Sequence, residues 1–156
     1  MTAWDKTARA AGAIGATALL LIGLLHAYWG LGGGAWLTSV IPVMPDGSQH
    51  LPPPVASAGV ALLILFGAYV LAGRCGLLPT PLPNWCHTAG TRIMALVFVV
   101  RSVGDFQVCG FFKTVTGTPF AALDTALFTP ICVGLAVCCL LAERADKPRV
   151  NRHGHA

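Results

Sequence analysis

Four apolar runs divide the chain, and polar or Gly/Pro-rich stretches separate them. The first covers 8–31, about 24 residues, which exceeds the roughly 20 that cross a hydrocarbon core of about 30 Å, so it predicts a tilted spanning helix. It ends in HAYWGLGGGAW and lacks a small-residue cleavage site, so it is expected to stay as a span and not to be a removed leader. Ala11, Gly12, Gly15 and Ala16 set a small-xxx-small spacing that lets a neighbouring helix approach closely. Residues 1–7 are polar and are expected to precede the helix.

Gly32, Gly33 and Gly34 end that run, and the segment through Pro54 carries no Lys or Arg, a Pro-Asp-Gly turn signal and three consecutive prolines. It reads as an irregular outer loop with Trp36 at the interface. Pro54 suits the first turn of a second helix over 54–73. A Pro-rich connection leads to a third apolar run, expected to be helical over 91–112. Thr118 followed by Pro119 reads as an N-cap and first helical residue for a fourth span over 119–142, which Pro130 should disturb near its middle.

Composition agrees with the pattern: 55% of residues are hydrophobic, only 10% are charged, and the mean hydropathy is +0.71. The net charge of +4 has no basic stripe with interleaved aromatics, which argues against a nucleic-acid partner. Lys6, Arg9, Arg74, Arg92, Arg144, Lys147, Arg149 and Arg152 flank one set of span ends, against Lys113 at the other. The positive-inside rule then gives an all-α, integral membrane four-helix bundle with both termini cytoplasmic, multi-pass in a bacterial inner membrane, with 143–156 a basic tail contacting solvent or lipid. The six cysteines show no C-x-x-C spacing, and Cys75 and Cys86 fall in a loop expected on the reducing side, so disulfide exchange is not expected. Cys138 and Cys139 are adjacent and read as helix packing, and no cofactor or metal set is expected.

Charged residues within such spans are the natural candidates for function. Arg101 and Asp105 are four apart and on a helix would share a face and pair, while Asp124 lies about 7 Å past the start of the fourth helix. His26 lies about 8 Å before the end of the first helix and Asp105 about 10 Å before the end of the third, so these groups come to similar depth in the outer half. With Trp29, Gln107 and Lys113 nearby they suggest a buried polar pocket. Two carboxylates sharing a low-dielectric site would push at least one toward its neutral acid, with His26 as a relay. Cys109 reads as packing.

Three readings follow. In the first the pocket binds or transports a small amphipathic or lipid-like molecule, and a homo-oligomer would supply a pathway that four spans alone do not. In the second His26, Asp105 and Asp124 carry out acid–base chemistry, isomerisation or cyclisation, on a lipid-soluble substrate, with Trp29, Arg101, Gln107, Lys113 and Thr125 holding it. In the third the charges are a structural clamp in an accessory membrane subunit.

HAYWGLGG at 26–33, RSVGDF at 101–106, GFFK at 110–113 and FAALDTALFTPIC at 120–132 together resemble an uncharacterised family of small four-span bacterial membrane proteins. The resemblance implies a four-helix fold and no activity, and its motifs contain His26, Trp29, Arg101, Asp105, Lys113, Asp124 and Thr125.

Overall fold

The computed structural model describes residues 2–144, all-helical among them. The expected basic tail, including Lys147, Arg149 and Arg152, lies outside the described residues beyond Arg144. Helix α1 spans Ala3–Gly30, starting earlier than the apolar run because Thr2 and Asp5 form a capping box: the Thr2 hydroxyl accepts from the Asp5 N–H, and the Asp5 carboxylate accepts from the Thr2 N–H. The polar first turn is thus helical, a correction to the expected start at residue 8. A four-residue helix α2, Leu37–Val40, interrupts the loop that follows α1. Trp29 donates its indole N–H to the Ala35 carbonyl at 2.9 Å, and the Gln49 amide donates to the carbonyls of Thr38 and Ile41, so this loop is tied down onto α1.

Helix α3, Pro54–Arg74, begins on its proline as expected. It runs back along α1. Gly12 and Gly15 are buried against Cys75, Leu71 and Cys138, and a Cβ on Gly12 would overlap the Cys75 sulfur, which is the close approach that small residues permit in lipid. Helix α4 covers Asn84–Val103, not 91–112. It starts directly after Pro83, which is its N-cap, and is anchored by His87, 2% exposed, whose two ring nitrogens meet the Thr80 hydroxyl at 2.7 Å and the Val70 carbonyl at 3.0 Å. It stops at Val103 because Gly104 turns to φ 90°, ψ −170°, a backbone region essentially restricted to glycine.

The last helix starts on the expected cap: the Thr118 hydroxyl accepts from the Ala121 N–H at 3.0 Å, and Pro119 is the first helical residue. It consists of α5 (Pro119–Leu123), one wide π turn (Asp124–Phe128) and α6 (Thr129–Glu143). The disturbance expected at Pro130 takes this form. Proline has no N–H, and its ring crowds the carbonyl four residues back. The helix relieves this by inserting an extra residue into the preceding turn, so that the Thr129 N–H bonds the Asp124 carbonyl five residues back.

Among the described residues three helices, Ala3–Gly30, Pro54–Arg74 and Pro119–Glu143, are long and apolar enough to cross a membrane. Their outer surfaces expose large apolar side chains, Leu62, Leu63 and Phe66 of α3 among them, and α4 exposes Leu96, Val97 and Val100. Such a surface suits hydrocarbon and would aggregate in water. Helix α4 packs on α3 and α6, with Arg92 paired to Glu143 at one end and Arg101 paired to Asp124 toward the other.

Candidate functional site

The π turn places Asp124 inward with no exposed surface. Its carboxylate accepts four hydrogen bonds: from Arg101 Nη2 at 2.7 Å to Oδ1, and to Oδ2 from the Gly110 N–H at 2.8 Å, Lys113 Nζ at 3.0 Å and the Thr129 hydroxyl at 3.2 Å. Thr129 reaches it because a π turn brings residues five apart onto one face, where a regular α-helix would separate them. Gly110 and Lys113 come from the 104–117 loop, which folds back over the helix ends. Lys113 also donates to the Gly110 carbonyl, so cation, loop and carboxylate form one closed unit.

The expected pairing of Arg101 with Asp105 is not what forms. Because α4 ends at Val103, Asp105 leaves the helical i+4 position and faces the loop, exposed. Its Oδ1 accepts from the N–H groups of Gln107, Val108 and Cys109 at 2.8–3.0 Å. The two carboxylates therefore do not share a site, and no hydrogen bond joins His26 to either among the described residues. The proton-sharing triad expected from depth alone is not assembled.

Partial burial pushes the Asp105 carboxyl up, but the backbone N–H groups of Cys109, Gln107 and Val108 outweigh it and hold the group below the usual carboxylate range. A lowered folded value means that the loop gains stability above the unfolded value of about 3.9 and loses it as pH falls through the folded one. The amide resonances of residues 107–109 should therefore titrate together with a midpoint below about 3.9. A shared midpoint at or above that value, or independent titrations, would contradict the cap.

Beside this cluster lies a cavity of about 510 Å³. Leu37, Val40 and Ile41 of the loop between α1 and α3 cover it, and α1, α3, α4 and the last helix wall it. The wall is apolar except at Ser57, His26, Trp29 and Arg101. His26 Nδ1 lies 2.9 Å from the Ile22 carbonyl, which can only accept, so this nitrogen carries a proton. The imidazole meets the Trp29 ring edge to face, with centroids 5.1 Å apart. Arg101 Nη1 is buried without a hydrogen-bond partner.

Of the residues the sequence singles out, His26, Trp29 and Arg101 meet at this cavity. Asp124 stands behind Arg101 and does not line it. Lys113 and Thr125 border a separate open groove with Thr116–Pro119, where the exposed Thr125 donates its hydroxyl to the Ala121 carbonyl. Gln107 is exposed, and its backbone carbonyl, not its amide, is engaged by the N–H groups of Thr114 and Val115. Sequence reasoning missed Thr129, Gly110 and Gln49. A Thr five residues after an Asp and directly before a Pro was the available signal for the first.

The comparison with curated proteins found no match, and the comparison with solved structures found none. Residues 19–139 match the family described as "Protein of unknown function (DUF3995)", a region that holds all four motifs, the cavity walls and the Asp124 cluster. The chain belongs to that family, the uncharacterised kind its motifs suggested.

Proposed function

We propose that the protein crosses the bacterial inner membrane four times, as a helix bundle with both ends cytoplasmic, and that its outer-half cavity binds or transports a small amphipathic molecule. The fourth crossing is α4, whose 20 residues match the bilayer's requirement and whose two arginines are both paired, Arg92 near one surface and Arg101 inside. Lys6, Arg9, Arg74, Arg92 and Arg144 gather at one end of the helices and Lys113 at the other, which supports the orientation. Lipid surrounds the exposed apolar faces, and passage across the membrane would call for a homo-oligomer.

The observation that carries the binding function is the cavity itself: about 510 Å³, apolar in nearly all its wall, with a cationic and an imidazole side chain among its few polar groups. An acid–base reaction has less behind it, since Asp124 is engaged by four donors and Asp105 lies outside the cavity. Native mass spectrometry of the purified protein should find a co-purifying small molecule, reduced at least about tenfold in Val60→Trp, which adds bulk to the cavity wall. Wild-type protein carrying no small molecule would reduce the polar cluster to a structural clamp.

A further inference from the structure

Resting on that binding proposal, we infer that the cavity is built for a single-chain amphiphile whose head carries one negative charge, a long-chain carboxylate, with the head beside Arg101. Two independent observations converge on this. The first is a count of charge. Arg101 and Lys113 are two cations on one carboxylate, Asp124, so this unit, buried except at Arg101, whose side chain is 32% exposed, is one positive charge in excess. The other acids among the described residues do not offset it: Asp46 and Asp105 are exposed in loops, Glu143 pairs with Arg92, and Asp5 sits in the first turn of α1, at the other end of that helix from His26. A uncompensated charge in an apolar setting is held by a counter-ion or by water, and the cavity is where Arg101 meets free space.

The second observation is the guanidinium's hydrogen bonding. Nη2 is spent on Asp124, and Nη1 is buried with no partner. A guanidinium presents paired donors that suit the two oxygens of a carboxylate, and binding requires the long Arg101 side chain to turn so that its unused Nη1 reaches a head group in the cavity.

Size and charge select among anions. At about 30 Å³ per water-sized group, about 510 Å³ is on the scale of roughly 17 such groups, which suits a carboxylate with one acyl chain better than a two-chain phospholipid. A phosphate monoester carries about −1.5 to −2 at neutral pH and would overshoot the single excess charge. A carboxylate matches it.

Trp29 provides the readout, because its ring forms part of the cavity wall. Trp4, Trp36 and Trp85 are exposed and can be changed to Phe, leaving Trp29 as the only tryptophan. In non-ionic detergent at pH 8, bromohexadecanoate should quench Trp29 at a concentration at least about tenfold lower than its methyl ester, since a hydrogen bond to a charged group is worth that much. Arg101→Gln should erase the gap, and Arg101→Lys, which keeps the charge and guards against a variant that simply fails to fold, should retain a gap of the same sign. Equal quenching by acid and ester, abolished for both in Val60→Phe, which adds bulk to the cavity wall without a second tryptophan, would overturn the carboxylate and leave the cavity proposal standing. Stronger quenching by a brominated two-chain phosphatidylglycerol would overturn the single chain. Quenching by none of them would overturn both proposals.

Discussion

Asp124→Ala should cost about 3–5 kcal/mol of stability, the largest loss expected of any single side chain here, because it leaves two cations inside the protein with no carboxylate between them. The loss is more than one ion pair. Oδ2 also holds the Gly110 N–H and the Thr129 hydroxyl, so the loop over residues 104–117 loses its main anchor to the last helix. The double change Arg101→Met with Asp124→Leu should recover part of the loss, since it removes a buried charge together with its partner, whereas Asp105→Ala, at an exposed cap, should cost far less. Thermal unfolding in detergent checks all three. An Asp124→Ala protein that melts with the wild type, or an Asp105→Ala protein that melts lowest, would contradict the assigned partners.

Gly104→Ala should be nearly as damaging, about 3 kcal/mol, and for a reason that no side-chain rearrangement relieves. The residue adopts φ 90° with extended ψ, and a Cβ there would overlap the backbone carbonyl of Cys109. The chain would have to reopen the turn, and with it the path that brings Gly110 and Lys113 to Asp124. A distinguishing consequence is that Gly104→Ala should also weaken the Arg101–Asp124 coupling measured by a double-mutant cycle, because the loop that encloses the pair is displaced. A stability equal to wild type would show that the α4 end does not need this backbone conformation.

Much of the architecture was legible because a membrane-spanning helix announces itself by length and hydropathy alone, and proline and glycine punctuate the rest. Pro54 and Thr118–Pro119 start helices where expected, and the small residues of α1 meet a neighbour as their spacing requires. The third helix was misplaced because its polar first turns, Asn84 to Arg92, fall outside the apolar run while its apolar end, past Val103, belongs to a loop. Hydropathy reports environment, and this loop is apolar without being helical. The wrong partner for Arg101 came from that same error, since the i+4 argument holds only while the helix continues. The true partner lay 23 residues away on another helix, which local spacing cannot find. Depth was only a partial guide: His26 lines a cavity with Trp29 and Arg101, but Asp105 and Asp124, set at the same depth by helical rise, do not line it.

The most direct test of the account is where an amphiphile sits when the protein is in its own membrane. A hexadecanoyl chain carrying a diazirine, activated by light in native membranes, leaves adducts that peptide mass spectrometry can place. Occupancy of the cavity predicts labelling of Ile22, Phe98 and Ile131 in excess over Leu62, Leu63 and Leu96, although the latter three are the more exposed to lipid. Labelling that follows exposure, strongest at Leu62, Leu63 and Leu96 with Ile22, Phe98 and Ile131 spared, would contradict it.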